Sequence, residues 1–530
     1  MQPDAGSLRL RVLPDLASLA SAVLCVGFEG ATAESAPLAE LRALKPGAII
    51  LFARNVGTPD ELRALVAALR AIDDVPPLIA IDQEGGRVAR IRTGVAEIPA
   101  MMALGATHDA ALAERAGALV GADLRAFGIT LDFAPCGDLA REAQNTVIGA
   151  RSFGEDPEAV ATMSCAFARG LESQGVAATI KHFPGHGATT VDSHLDLPRI
   201  TLDAATLRAN DLVPFAAAIR SRSVSCVMSA HIVVEAFDAA LPATLSARVL
   251  TGLLREELGF AGIIFTDCLE MDAIARGVGT VNGTVAALVA GADCAVVSHH
   301  LDLAREGARA IASAVSEGRL SEARLREAAG RLSALRAKLA VGLDSYPAVD
   351  REAGVTIARA AVTVEGSIRL DPTRPVTVIS FEGETYEGAA GKHHAHASLN
   401  AALRARRIAA EIMRVPLAPD EDDIDLLLAL IDSQRGLAPR TFVVLMRRAH
   451  LYPLQASAVR AILARAPETI VVSAREPYDL SVAWSAQARN TACIYGDENV
   501  SIEGLADVMT GATVQGRLPV SVRAEDAIVR

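Results

Sequence analysis

Short apolar runs recur through the first 300 or so positions: Val23–Phe28, Ala48–Phe52, Leu78–Asp82, Ile129–Phe133, Ala178–His182, Cys226–Ser229, Ile263–Asp267 and Cys294–Ser298. None alternates cleanly between apolar and polar residues. That pattern predicts strands buried on both faces, as in a parallel sheet. Amphipathic stretches lie between them, at Thr58–Ile72, Asp109–Phe127, Asp156–Ser173, Asp203–Ser221 and Ser246–Leu258. The first opens on Thr58-Pro59-Asp60-Glu61, a helix-start signal. Strands in strict alternation with helices predict a (β/α)8 barrel over residues 1–342. An open doubly wound sheet would carry a Gly-rich phosphate turn after its first strand, and Gly27-Phe28-Glu29-Gly30 does not supply one.

A helical stretch, Glu322–Leu339, closes this part, and residues 343–355 read as a linker. The pattern then resumes over 356–530 as an α/β sandwich. Its predicted strands are Val376–Phe381, Asp425–Ile431, Phe442–Met446, Thr469–Ser473 and Thr491–Tyr495. Its predicted helices are Ala397–Arg406, Pro453–Ala466 and Ser501–Thr510.

Composition narrows the function classes. The 530 residues carry 51 basic and 63 acidic side chains, a formal net charge of −12, with no Lys/Arg-rich run. This excludes a basic nucleic-acid footprint. No apolar run reaches the ~18 residues of a membrane span, so no membrane association is expected. The first residues lack a basic segment followed by an apolar core, so no secretion signal is read. The seven cysteines, at 25, 136, 165, 226, 268, 294 and 493, are scattered and form no CxxC pair. They predict core thiols in a reducing cytoplasm rather than a zinc site.

In a parallel barrel, chemistry gathers at the C-terminal ends of the strands. Asp82-Gln83-Glu84-Gly85-Gly86-Arg87 follows the third predicted strand. Lys181-His182-Phe183-Pro184-Gly185-His186-Gly187 and then Asp192-Ser193-His194 follow the fifth. Ser229 and His231 follow the sixth, and Asp267 ends the seventh. One such residue alone would be a loop cap. Together they predict a single polar mouth.

These segments resemble glycoside hydrolase family 3, in particular its β-N-acetylhexosaminidase branch. The resemblance rests on Ile81–Val88, on Val147-Ile148-Gly149-Ala150-Arg151-Ser152-Phe153-Gly154-Glu155-Asp156-Pro157, and on Lys181–Gly187. It extends through Asp192-Ser193-His194, Val227–His231 and Phe265-Thr266-Asp267-Cys268-Leu269-Glu270-Met271. A weaker likeness reaches Gly516-Arg517-Leu518-Pro519-Val520-Ser521-Val522. It implies that Asp267 is the nucleophile and that His194, oriented by Asp192, is the acid/base. Asp82, Arg90, Arg151, Lys181 and His182 would bind the sugar, with His231 bordering the pocket. Imidazole suits the acid/base role because it titrates near neutrality.

The implied activity is a retaining exo-β-N-acetylglucosaminidase that acts on small glycans such as peptidoglycan fragments. It would need no cofactor and no metal, and its partner would be a small carbohydrate. The oligomeric state stays open. A β-N-acetylglucosaminide phosphorylase, a β-glucosidase or xylosidase of the same family, and an inactive sugar-binding protein are the alternatives. One departure is Ala188, where the branch implies an aspartate. His393-His394-Ala395-His396 invites a metal reading, but no Cys or carboxylate sits at ligand spacing.

Overall fold

The computed structural model describes residues 15–189, 197–340, 350–383, 385–387, 391–393, 398–437 and 439–523. Eight parallel strands close a barrel: β1 (Leu24–Val26), β2 (Ala48–Leu51), β3 (Leu78–Ile81), β4 (Leu131–Asp132), β5 (Ala177–Phe183), β6 (Cys226–Ser229), β7 (Ile263–Cys268) and β8 (Cys294–Val297). Each pairs with its sequence neighbours, and β1 pairs with β8 to complete the ring. Nearly every strand residue is buried, which is why the runs carry no polar alternation. Inside the ring, Phe133 and Phe265 meet edge to face with centroids 5.3 Å apart.

Local chemistry starts the outer helices. Before Pro59–Arg70, the Thr58 hydroxyl accepts from the Glu61 amide at 3.3 Å and the Glu61 carboxylate accepts from the Thr58 amide at 2.7 Å. Asp109, Asp156 and Ser321 start other helices by accepting from first-turn amides through their side chains alone. The helix predicted over Asp203–Ser221 is two helices, Ala204–Ala209 and Val213–Ser221. Pro214 is the reason. It lacks an N–H and clashes with the preceding turn, so it is accommodated only where a helix begins.

The second sheet holds β9 (Thr363–Glu365), β10 (Val376–Glu382), β11 (Ala410–Pro416), β12 (Thr441–Met446), β13 (Ile470–Ser473) and β14 (Asn490–Cys493), in the order β9-β14-β13-β12-β10-β11. Its two faces are both covered. Val376 and Val378 join one apolar cluster while Ile379 and Phe381 join the other. One predicted strand is wrong. Asp425–Ile431 lies inside a helix, Glu421–Leu437. A short apolar run cannot by itself separate a strand from a buried helix face. Here Leu and Ala favour helix, and Glu421, Asp422 and Asp423 complement its N-terminal dipole. The edge strand β11, which the sequence reading missed, mixes apolar with exposed polar residues.

Helical structure resumes at Arg351, within the stretch expected as linker. The Asp350 carboxylate caps it by accepting from Ala353 N at 3.1 Å. Residues 341–349 lie outside the described ones, as do His394 and His396. The two halves are tied by polar contacts. Arg87 meets Asp497 at 3.2 Å, His450 Nε2 reaches the Ala143 carbonyl at 3.2 Å, and Arg517 N donates to the Ala106 carbonyl at 2.9 Å. Among the described residues no helix is long and apolar enough to cross a membrane.

Candidate active site

The C-terminal ends of β3, β4, β5 and β7 bring the site together. Asp82 directly follows β3. A short hairpin, Gln83–Gly85 with Val88–Ala89, turns the chain back and delivers Arg90. Arg90 Nη2 donates to Asp82 Oδ2 at 3.2 Å, and Lys181 Nζ from β5 donates to Oδ1 at 2.8 Å. The same ammonium lies 2.7 Å from Glu84 Oε1. Arg151 grips Glu84 with a two-pronged fork, Nη2 to Oε1 at 2.7 Å and Nε to Oε2 at 2.9 Å. Burial opposes charge on Asp82, Glu84, Arg151 and Lys181, yet the pairing outweighs it. Glu84 is held at about 2 by Arg151 and Lys181, and Asp82 falls well below the usual carboxylate range through Lys181 and Arg90. Lys181 and Arg151 rise in response to the same carboxylates and stay cationic. The cluster therefore presents fixed donors and acceptors, as a polyhydroxylated ring requires.

A second cluster stands beside it. Asp138, on the loop after β4, accepts from His182 N at 3.1 Å and from His186 N at 2.6 Å, and its Oδ2 lies 2.7 Å from His182 Nδ1. Burial works against its ionisation, but these partners hold it at about 2. His182 Nε2 in turn lies 3.4 Å from Arg151 Nη2, so Asp138 orients a ring that touches the first cluster. His186 is pushed down to about 4 by burial and is neutral at pH 7. Cys136, Asp138 and His182 place three metal-capable atoms within 4.8 Å. A cation there would have to displace the hydrogen bonds that Asp138 already accepts.

Asp267 sits at the end of β7, half-buried, and its Oδ1 accepts from Cys268 N at 2.7 Å. His231 is sealed from solvent. Its Nδ1 meets Thr244 Oγ1 at 2.9 Å and its Nε2 meets the Cys268 carbonyl at 2.8 Å. It thus braces the backbone one residue past Asp267. The other two residues expected to carry chemistry, Asp192 and His194, lie outside the described residues. Ala188 is half-buried and packs against the barrel core.

Beneath the first cluster lies Asp132, at the end of β4. Its Oδ1 accepts from Gln83 N at 2.9 Å, while Oδ2 has no hydrogen-bond partner among the described residues. Burial pushes it up to about 8. The folded state therefore holds this proton where an unfolded chain has lost it, and stability drains as pH rises from about 4 to 8, by about 1.4 kcal/mol per pH unit within that window. Asp132→Asn keeps the acceptor and removes the titration. Chemical denaturation from pH 5 to pH 8.5 should show the variant gaining on the wild type as pH rises. A constant difference would show that Asp132 is ionised throughout.

A family model described as the glycosyl hydrolase family 3 N terminal domain matches residues 24–335, which covers the whole barrel. The chain belongs to glycosyl hydrolase family 3. Along its full length this family 3 enzyme is similar to a solved β-N-acetylglucosaminidase from Paenibacillus sp. str. FPU-7. The two are 36% identical, with a TM-score of 0.89 over 97% of this chain and 100% of that one. The chain is 40% identical over 283 residues to a β-hexosaminidase of Alkalilimnicola ehrlichii, a match that spans 52% of this chain and 80% of that protein. A β-hexosaminidase of Pseudomonas aeruginosa is 42% identical over 280 residues, spanning 52% of this chain and 82% of its own.

Asp82, Arg90, Arg151, Lys181 and His182 form one connected network. Three members of the site were given no role from sequence: Glu84, Asp138 and His186. Glu84 stood within the quoted Asp-Gln-Glu run. Asp138 follows a predicted strand, so the strand-end rule used for its neighbours would have found it. His186 carried no signal beyond its Gly-His-Gly setting.

Proposed function

We propose that this family 3 enzyme hydrolyses terminal β-linked N-acetylglucosamine from small glycans, with retention, through a covalent intermediate on Asp267. The observation that carries the reading is the half-buried Asp267 carboxylate at the end of β7, sharing one barrel mouth with the Asp82–Lys181–Glu84–Arg151 network. The full-length likeness to a β-N-acetylglucosaminidase supports the choice of sugar.

In the first step Asp267 attacks the anomeric carbon and the glycosidic C–O bond breaks. His194 gives its proton to the departing oxygen, and Asp192 stabilises the cationic ring beforehand. In the second step His194 takes a proton from water, the water oxygen bonds to the anomeric carbon, and the carboxylate leaves. Asp82 accepts from ring hydroxyls, while Arg151 and Lys181 donate to them. His182 is oriented for the same purpose by Asp138, and His231 positions the backbone that bears Asp267. Peptidoglycan fragments are the natural substrate class in this reading. Seven unbridged cysteines, six of them buried, support a reducing cytoplasmic setting.

Phosphorolysis is the second reading, favoured by an acid/base that carries no negative charge to repel an incoming phosphate. Aryl β-glycosides of N-acetylglucosamine, glucose and xylose test the sugar directly, and a faster rate on glucose or xylose sinks the choice. His194→Ala should lose far more activity on a disaccharide than on an aryl glycoside with an activated leaving group, read in the bond-breaking step. Equal losses would falsify the general-acid role. Running the reaction in phosphate and in an equal-ionic-strength buffer separates the acceptors, because sugar 1-phosphate as the main product replaces the hydrolase with a phosphorylase.

A further inference from the structure

The polar network and Asp267 occupy the ends of β3, β4, β5 and β7. The ends of β8, β1 and β2 carry a different surface. Of the thirteen phenylalanines, only Phe52 and Phe237 are not buried. Phe52 directly follows β2. Its ring stacks on the exposed ring of His299, with centroids 5.5 Å apart and planes 26° apart. His299 lies just past the end of β8.

The stacked pair is held in place. Arg54 donates through Nη2 to the Ser298 carbonyl at 2.6 Å and through Nε to the Phe28 carbonyl at 3.1 Å, and its Nη1 lies 3.3 Å from His299 Nδ1. Its guanidinium carbon stands 4.7 Å from the Phe52 centroid. Glu270 accepts from the His299 and His300 amides at 2.6 and 3.1 Å, which fixes the backbone that carries the ring. Burial, and then the Arg54 guanidinium, push the His299 pKa down, so the ring is neutral at pH 7. A guanidinium only donates, so Nδ1 accepts and the proton of the neutral ring sits on Nε2. An exposed ring face with an N–H donor at its edge matches a pyranose. The C–H face of the sugar packs on the ring, and its oxygens accept the hydrogen bond. Charge around the pair is already matched, with Arg54 against Glu29 at 3.0 Å and Glu270 engaged by His300 at 2.6 Å. The contact therefore suits a part of the ligand that bears no charge.

We infer that the His299–Phe52 pair is the binding surface for the sugar ring on the leaving-group side of the scissile bond. The inference rests on the glycosidase reading above. The surface is continuous with both parts of the site. The Arg90 guanidinium, which holds Asp82, stands 5.6 Å from the Phe52 centroid. Ser298 Oγ, one residue before His299, lies 2.9 Å from Cys268 Sγ, one residue after Asp267. The second sheet unit reaches the barrel through Arg87, Ala106 and Ala143, all in segments between β3 and β5. On the other side, Glu29, His299 and His300 are exposed. The sugar that the polar network binds thus fills the covered side of the mouth, and the glycan continues over the open side.

The test compares the full chain with its His299→Ala and His299→Phe variants on two substrates. One is a β-1,4-linked disaccharide of N-acetylglucosamine. The other is N-acetyl-β-glucosaminyl azide, whose leaving group has no ring to stack. His299→Ala should lower kcat/KM for the disaccharide, relative to that for the azide, by roughly tenfold and mainly through KM, because one hydrogen bond and one stacking contact are lost. His299→Phe keeps the ring without the donor and should recover part of that loss. Free N-acetylglucosamine added to the azide reaction gives a second readout. In the wild type it should intercept the glycosyl-enzyme to form disaccharide, and both variants should show a lower ratio of transfer to hydrolysis. If His299→Ala fails to fold, the transfer ratio of His299→Phe against the wild type decides. Equal losses on the two substrates overturn the inference, because the ring then serves the first sugar or the fold. Unchanged relative kcat/KM and transfer ratios also overturn it. A wild type that cleaves neither substrate removes the glycosidase reading itself, a result distinct from both.

Discussion

Asp267→Ala is expected to lower kcat/KM on an aryl N-acetyl-β-glucosaminide by on the order of 10³-fold or more, a loss of about 4 kcal/mol in transition-state stabilisation. The carboxylate stands at a strand end, with Oδ1 held by the Cys268 amide at 2.7 Å, so its position is set by β7 rather than by a mobile loop. Removing it takes away the group that bonds to the anomeric carbon and the charge that faces the developing cation. Folding should survive, because the side chain is only half-buried and the strand residues before it remain packed. Far-ultraviolet circular dichroism and the melting temperature check that point, and a kinetic assay checks the first. A variant that keeps more than a tenth of wild-type turnover would remove Asp267 from the nucleophile's role.

Lys181→Met should have the largest effect on stability. Its ammonium is 2% exposed and lies 2.8 Å from Asp82 and 2.7 Å from Glu84. Without it, two buried carboxylates lose a shared partner, and breaking a buried pair by deleting one member costs roughly 3–5 kcal/mol. The sign of the pH dependence follows from Glu84. Its folded value of about 2 lies below the ordinary 4.5, so its contribution is present above about pH 4.5 and is lost as pH falls toward 2. In the variant the carboxylates protonate more readily. The gap between wild type and variant should therefore be widest at neutral pH and narrow below about pH 5. Urea unfolding at pH 7 and at pH 4 measures it, and an equal deficit at both values would show that lost packing, not charge, explains the change. Weaker binding of N-acetylglucosamine should accompany it.

Much of this architecture was legible in the chain. The barrel runs needed no alternation because each strand is covered on both sides, and that burial is written directly into residue type. The strand-end rule then located Asp82, Lys181, His182 and Asp267 at one mouth without any distance being known. The rule fails where two structures share one local pattern. Asp425–Ile431 has the apolar density of a buried strand and the residue preferences of a helix, and its place beside the six-stranded sheet selected the helix.

Residue type alone set which positions are apolar, where strands end and which ionisable residues stand at those ends. Pairing among those residues was decided only by the closed barrel. Glu84 and Arg151 are 67 positions apart, and Asp138 and His182 are 44 apart. Neither separation carries a local signal. The ring closure of β1 on β8 sets the distance between strand ends, and an ion pair depends on distance and on exclusion of water, not on sequence spacing. The same holds for the contact between the two halves, where Arg87 meets Asp497 across 410 positions. Burial made those charges matter, and burial is a property of the assembled fold.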